Sequence, residues 1–274
     1  MFARINHVAI ATDYYAQNGK FYEALFGMRP SSKPRPARSV VVGDGYVGLN
    51  CIPRREGRTS GLDHFGIEVA DLNVALERIR KFDPSLEAIK RPPIRPFAAY
   101  SAHDPDVNVF DLAERGSGAK KDVYAENEGA ENDGNNGTQP RTISHIALRT
   151  RHAERCAAFY AEVFELKLEN TARPGQFALS DGRVTLLILP WRMSDYYGQD
   201  PARTGLDHIG FKVESVEAVK RDMAELVGVN PQMRTHPLGC GSEGEARLAV
   251  LKQCPIGAFH LTDIEGVYID VAEG

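Results

Sequence analysis

Little in this chain points to a nucleic-acid or membrane partner. Its 274 residues carry 33 Lys and Arg against 37 Asp and Glu, a net charge of -4. That leaves no broad basic field to hold phosphates or anionic lipid. No apolar run approaches the roughly 18 to 20 residues that cross a bilayer. The N-terminal MFARINHVAI lacks the long apolar stretch of a secretory signal, so the expected location is the cytoplasm. Cysteine is scarce as well. Cys51, Cys156, Cys240 and Cys254 lack the C-x-x-C spacing that presents two thiolates to one zinc, and they read as four reduced thiols. Cys240 and Cys254 flank a loop-like stretch and could meet. With 42% apolar residues the chain has ample material for two cores, and disorder throughout is excluded.

What the chain has in excess is repetition. GLDHFGIEVA at 61–70 returns as GLDHIGFKVE at 205–214. INHVAIAT (5–12) answers to ISHIALRT (143–150), and KFYEALFGMRP (20–30) to AFYAEVFELKL (158–168). VVVGDGYVGLNCIP (40–53) parallels FALSDGRVTLLILP (177–190), and VNVFDLAERG (107–116) parallels GVYIDVAEG (266–274). Between the halves, residues 115–140 are rich in Gly, Asn, Glu and Asp with almost nothing to bury, which reads as a linker. The expected division is a first domain at 1–114, the linker at 115–140, and a second domain at 141–274.

Each half divides again. NHVAIAT alternates apolar with small or polar residues, as a half-buried strand does. Phe21, Tyr22, Leu25 and Phe26 then fall on one helical face that ends at Gly27. SVVVGDG and YVGLNCI form a hairpin across Asp44-Gly45. The predicted unit is βαβββ, present four times at about 3–53, 61–114, 142–192 and 205–274. The last contains a Gly- and Pro-rich insertion, 228–256, of the kind that folds as a lid.

The strand-opening histidines of INHVAI, LDHFGI, ISHIAL and LDHIGF, the FYEALFG helix end and the HDPDVNVFDL strand resemble the vicinal oxygen chelate superfamily. That group includes glyoxalase I, bleomycin resistance proteins, methylmalonyl-CoA epimerase and type I extradiol dioxygenases. The resemblance implies an α+β fold: two tandem domains, each pairing two βαβββ modules into a curled mixed sheet that forms an open cup. Four units in one chain look most like the extradiol dioxygenases, whose C-terminal pair holds iron. The ligands implied here are His145, His208 and Asp270.

The residues themselves suit that role. Two histidines and a carboxylate leave open positions on a divalent metal and fit non-haem Fe(II), with Mn(II) or another divalent ion as alternatives. The same triplet recurs as His7, His64 and Asp111, either a second metal site or a relic whose histidines bond backbone. Counting four residues past each turn glycine puts apolar Leu49 and Leu186 where glyoxalase-type sites take another ligand. That favours three ligands with room for a bidentate substrate and dioxygen.

The chain departs from the ring-cleaving pattern in three ways: Asp stands where Glu is usual, the second acid-base histidine has no match, and His260 replaces an active-site tyrosine. His260 is then the expected general acid or base, or else an edge-strand residue on the surface. Tyr196, Tyr197 and His236 stand near the expected cup rim. His103 and His152 read as solvent-exposed, and Trp191 as a core or interface aromatic.

The implied partner is a small catechol-like molecule cleaved with dioxygen. A metal-dependent isomerase, epimerase or lyase, and a metal-free ligand-binding module of the bleomycin-resistance type, remain as alternatives. Homo-oligomer formation is left open.

Overall fold

The structure is a computed structural model, and it describes residues 1–30, 39–92, 98–116, 139–170, 173–192, 203–235, 238, 241–254 and 256–274. The expectations for 117–138 of the linker and for Tyr196, Tyr197, His236 and Cys240 lie outside the described residues.

The first unit runs β1 (Ala3–Thr12), α1 (Tyr15–Phe26), β2 (Arg29–Pro30), β3 (Val40–Gly43) and β4 (Gly48–Pro53). The second runs β5 (Gly61–Val69), α2 (Leu72–Phe82), β6 (Ala88–Lys90), β7 (Tyr100–His103) and β8 (Val109–Glu114). The third repeats the plan with β9 (Thr142–Thr150), α3 (Ala153–Phe164), β10 (Lys167–Glu169), β11 (Phe177–Ser180) and β12 (Thr185–Pro190). Three units are therefore βαβββ, as the sequence predicts.

The fourth unit departs from the plan. After β13 (Gly205–Val213) and α4 (Val216–Val229) come a single 3-10 turn, Pro231–Met233, and a further helix, α5 (Gly241–Leu251). Only β14 (Phe259–Thr262) and β15 (Tyr268–Glu273) follow among the described residues. The insertion at 228–256 thus carries a helix and is not a plain loop. EARLAV supplies helix formers that the surrounding glycines and prolines hide from a composition reading.

The units pair into two mixed sheets. One has eight strands in the order β2-β3-β4-β1-β5-β8-β7-β6, the other seven in the order β10-β11-β12-β9-β13-β15-β14. At the centre of each, the opening strands of its two units lie antiparallel, β1 on β5 and β9 on β13. Each opening strand also pairs in parallel with the last strand of its own unit. Every unit therefore delivers its histidine strand and its closing strand side by side, at the middle of a curled cup.

Alternation then sorts the side chains. Ile5, Val8, Ile10, Phe65 and Ile67, with their counterparts Ile143, Ile146, Leu148, Ile209 and Phe211, join one continuous core shared by both halves. The helices seal it. Phe26 of α1 stacks on Phe211 of β13 with ring centroids 3.8 Å apart, and Phe65 of β5 lies 6.1 Å from Tyr160 of α3. Each such fully buried aromatic contributes roughly 1.5–3 kcal/mol by leaving water.

Polar cross-ties are matched as well. Tyr22 donates its hydroxyl to Asp263 at 3.0 Å, and Tyr160 donates to Asp104 at 3.0 Å, so each half fastens the other. No helix among the described residues is long and apolar enough to cross a membrane.

Candidate metal centres

The face opposite the shared core carries the histidines. On β9, His145 and Ala147 face the cup, and on β13 His208 and Gly210 do so. The parallel register puts Asp270 of β15 beside Gly210. His145, His208 and Asp270 meet there, with His145 Nε2 3.4 Å from Asp270 Oδ2 and the two imidazoles edge to face at 5.2 Å. The N-terminal cup repeats the arrangement. His64 Nε2 stands 3.4 Å from Asp111 Oδ2, and the rings of His7 and His64 are 5.5 Å apart, edge to face. Within each trio the donor atoms lie within 4.8 Å of one another. The structure thus brings each of the two triplets together.

Each of the four histidines is held through Nδ1 by the residue just before it. His208 donates Nδ1–H to Asp207 Oδ2 at 2.6 Å, and His64 donates to Asp63 Oδ2 at 2.7 Å. His7 donates to Asn6 Oδ1 at 2.8 Å, and the Ser144 hydroxyl lies 3.1 Å from His145 Nδ1. A proton on Nδ1 leaves the Nε2 lone pair for a metal, the usual outer-shell arrangement of a ligating histidine.

Behind His208 the support goes one layer deeper. Arg149 Nε donates to Asp207 Oδ1 at 2.7 Å, with the guanidinium fully buried. Burial pushes the Asp207 carboxyl up, but Arg149 and His208 outweigh it and hold the group well below the usual carboxylate range. The equivalent position in the first half is Ala11.

Three features fit the C-terminal trio to a divalent metal. His208 Nε2 is buried and has no hydrogen-bond partner, an expensive state for a polar atom unless something else binds it. Burial, then neighbouring His208, hold the His145 pKa down at about 3, so the ring is neutral and able to donate its lone pair. Asp270 supplies the negative charge. Burial raises its pKa, but His260, His145, Cys254 and His208 together bring it below the usual value.

The glycines of the repeated motif also find their reason here. A Cβ on Gly210 would sit 1.8 Å from His145 Cε1, and one on Gly66 would sit 2.1 Å from His7 Cε1. Only a bare backbone lets the ring of the neighbouring strand lie across it.

His260 lies on β14, beside Asp270. It pairs with Asp270 across β14 and β15, and its Nε2 is 3.0 Å from Asp270 Oδ1. In the first half the corresponding residue is Ser101, which donates to Asp111 Oδ1 at 2.6 Å. His260 also lines a cavity of about 280 Å³ at the edge of the sheet, with Val219, Met223, Leu238 and Phe259.

Two sequence readings need correction. The fourth corner of each cup is not Leu49 or Leu186, which face the core; the register sets Asn50 beside Ala9 and Leu187 beside Ala147. Asn50 Oδ1 is buried without a hydrogen-bond partner, so only the C-terminal cup keeps an apolar corner. His103 is half-buried rather than exposed, bonded to Asp104 O at 2.8 Å and accepting from Glu87 N at 3.3 Å. The two cups differ in how far their trios are covered. His145, His208 and Asp270 are all buried, whereas His64 keeps partial exposure.

Cys254, which reads in the sequence as one of four reduced thiols, is a free thiol whose position the sequence does not show. It is buried at the C-terminal trio, with Sγ 3.1 Å from Asp270 Oδ2 and 3.7 Å from His145 Nε2. Burial and Asp270 push the thiol's pKa up. By contrast His152 is exposed, as expected, and holds Asp106 at 2.8 Å, while Trp191 is partly buried.

A family sequence profile settles the relationship. The glyoxalase/bleomycin resistance protein/dioxygenase superfamily profile matches residues 4–112 and 142–241. The chain belongs to that superfamily. No curated protein sequence matches it.

Among solved structures, the superfamily chain resembles a Mn(II)-bound glyoxalase from Novosphingobium aromaticivorans. Identity is 14%, the TM-score is 0.64, and the match covers 99% of this chain and 82% of that one. It resembles 2,2',3-trihydroxybiphenyl 1,2-dioxygenase from Sphingomonas wittichii at 12% identity and TM-score 0.63, covering 100% and 91% of the two chains. A xylose isomerase-like TIM barrel/4-hydroxyphenylpyruvate dioxygenase fusion protein matches at 17% identity and TM-score 0.62, and this chain spans 49% of its length. Identities so low show a common fold and leave the reaction to the site.

Proposed function

We propose that the protein is a metal-dependent enzyme of the dioxygenase branch, opening a catechol-like ring with dioxygen at the C-terminal trio. The observation that carries this reading is the convergence of His145, His208 and Asp270 around the partnerless, buried His208 Nε2. A metal-free binding module has no use for such an atom. Solved structures of the same fold include dioxygenases, and two histidines with one carboxylate are the donor set of non-haem Fe(II) oxygenases.

Fe(II) held by His145, His208 and Asp270 would supply Lewis-acid and redox chemistry there. The chain's own residues do the rest. His145 and His208 would donate through Nε2, and Asp270 would contribute one negative charge. Asp207 and Arg149 fix the His208 ring. His260, 3.0 Å from Asp270 and lining the cavity, can take a proton from a substrate hydroxyl and return it. The burial of the trio excludes bulk water.

His7, His64 and Asp111 form a second candidate centre, favoured by the same 3.4 Å carboxylate contact and by the partial exposure of His64. The isomerase or lyase reading shares the donor set and needs no oxygen. The test is an oxygen electrode. Protein loaded anaerobically with Fe(II) is expected to consume dioxygen only when a catechol is added, and His208→Ala is expected to abolish this. A loaded protein that takes up no oxygen with any member of a catechol panel overturns the proposal.

A further inference from the structure

The segment that closes the C-terminal cup is the tail of the insertion. Helix α5 ends at Leu251, and the turns continuing from it are tied by Lys252 N to Leu248 O at 3.0 Å and Cys254 N to Leu251 O at 2.9 Å. Gln176 donates to Gln253 O at 3.1 Å, fastening this tail to the third unit. Cys254 then drops into the cup against Ala147, Ala178, Leu187 and Leu189, the apolar wall beside His145. Just after it, Gly257 lies so close to Asp270 that a Cβ would fall 1.7 Å from Oδ1. The chain is shaped to bring one thiol, and almost no other side chain, onto the ligand carboxylate.

We propose that Cys254 is a fourth protein ligand of the C-terminal metal, so that in the closed state two histidines, one aspartate and one cysteine hold the ion. This rests on the reading that His145, His208 and Asp270 hold a metal.

The spacing argues for it. Bonds of about 2.0–2.1 Å to nitrogen or oxygen and about 2.3 Å to sulfur put the corners of a tetrahedron roughly 3.3–3.6 Å apart. The separations here are 3.4 Å for His145 to Asp270, 3.7 Å for Cys254 to His145 and 3.1 Å for Cys254 to Asp270. The donor atoms of all four residues, His208 included, lie within 4.8 Å of one another, and all four residues are buried. The unpartnered Nε2 of His208 supplies the remaining corner.

Without metal, the thiol donates to Asp270 Oδ2 at 3.1 Å. With metal, the S–H proton leaves to solvent and the sulfur lone pair forms the new bond. No electrons are transferred. A thiolate shifts preference toward zinc, cobalt and iron and away from magnesium and manganese. The N-terminal trio contains no cysteine, so the two centres of one chain are expected to sort metals differently.

The full-length protein, stripped of metal and titrated anaerobically with Co(II), tests this. The expected spectrum has an intense near-ultraviolet thiolate-to-cobalt charge-transfer band, together with visible bands of four-coordinate strength. Cys254→Ser is expected to lose the charge-transfer band while still taking up cobalt. Its zinc affinity should fall by more than the roughly 10- to 100-fold that loss of an outer-shell partner typically costs.

The wild-type spectrum alone is decisive if the variant misfolds. Cobalt bound in a manner that His208→Ala abolishes, but with no charge-transfer band, overturns the role of Cys254 and leaves the trio standing. No cobalt at any His208-dependent site overturns the trio and this proposal together.

Discussion

Asp207 grips His208 with one carboxylate oxygen at 2.6 Å and Arg149 with the other at 2.7 Å. This makes a buried Arg-Asp-His chain whose only remaining free end is His208 Nε2. Its two links should fail differently. Asp207→Asn removes the charge that fixes the Nδ1–H tautomer, and metal affinity at this centre is expected to drop about 10- to 100-fold. Arg149→Met strands a buried carboxylate, with an expected cost of about 3–5 kcal/mol. Chelator competition reads the first and urea unfolding the second. Equal metal affinity in Asp207→Asn and wild type would count against the outer-shell role.

The two motif glycines offer a way to silence either centre alone. In Gly210→Ala the new methyl lands on the His145 ring, and in Gly66→Ala on His7. Each ring must swing out of its cup, while the strand itself accepts alanine. The expected outcome is a folded protein that loses metal at one centre and keeps it at the other. Elemental analysis after dialysis checks the stoichiometry. If Gly210→Ala leaves oxygen consumption intact, catalysis does not belong to the C-terminal trio.

The fold was legible because the repeats are spelled in strand alternation and helix period, two local signals that both sheets preserve. His145, His208 and Asp270 could be named because each sits at a fixed place on a repeated strand. The fourth corner lies one residue beyond the position the glycine count gives, and the build of the turns explains why. Asp44 and Asp181 close tight turns, with Oδ1 accepting from the residues two and three ahead. Asp104 and Asp263 close turns one residue longer, accepting from two and four ahead. The glycine stands one residue after Asp44 and Asp181 but three after Asp263, so a count of four from it reaches Asp270 yet stops one residue short of Asn50, at Leu49. Cys254 was illegible for a different reason. It belongs to the insertion, which no other unit repeats, and only tertiary packing carries it to Asp270.

Those turn aspartates also join the halves. Asp44 Oδ2 accepts from Ile143 N at 2.8 Å, and Asp181 Oδ2 accepts from Ile5 N at 2.8 Å. Asp44→Ala orphans three buried N–H groups and is expected to cost about 2–4 kcal/mol, at about 1–3 kcal/mol for each group left without a partner and with partial relaxation. Asp44→Asn can keep the two turn bonds and should cost less. Denaturant midpoints for the pair give the cross-link's share, and identical midpoints would assign the whole effect to the turn.

Asp263 makes the stability of the inter-half contact depend on pH. Its carboxylate accepts from Tyr22, Asn18, Glu265 N and Val267 N, yet burial lifts its pKa from 3.8 to about 6. The folded state therefore holds a proton that the unfolded chain has already released between about pH 4 and pH 6. Folding is then favoured at the acid end of that window and loses stability as pH rises through it, levelling above about pH 6. Two pKa units at 1.36 kcal/mol each set the size of the loss at about 3 kcal/mol. Asp263→Asn should remove this slope. Its amide can donate to Asn18 Oδ1, which is buried without a partner, while its carbonyl keeps the two backbone bonds. Urea midpoints measured from pH 4 to pH 8 are expected to converge for the two proteins at the acid end and to favour the variant at neutral pH. Parallel curves would mean that the carboxyl stays ionised inside the fold and that the hydrogen bonds, not burial, dominate its titration.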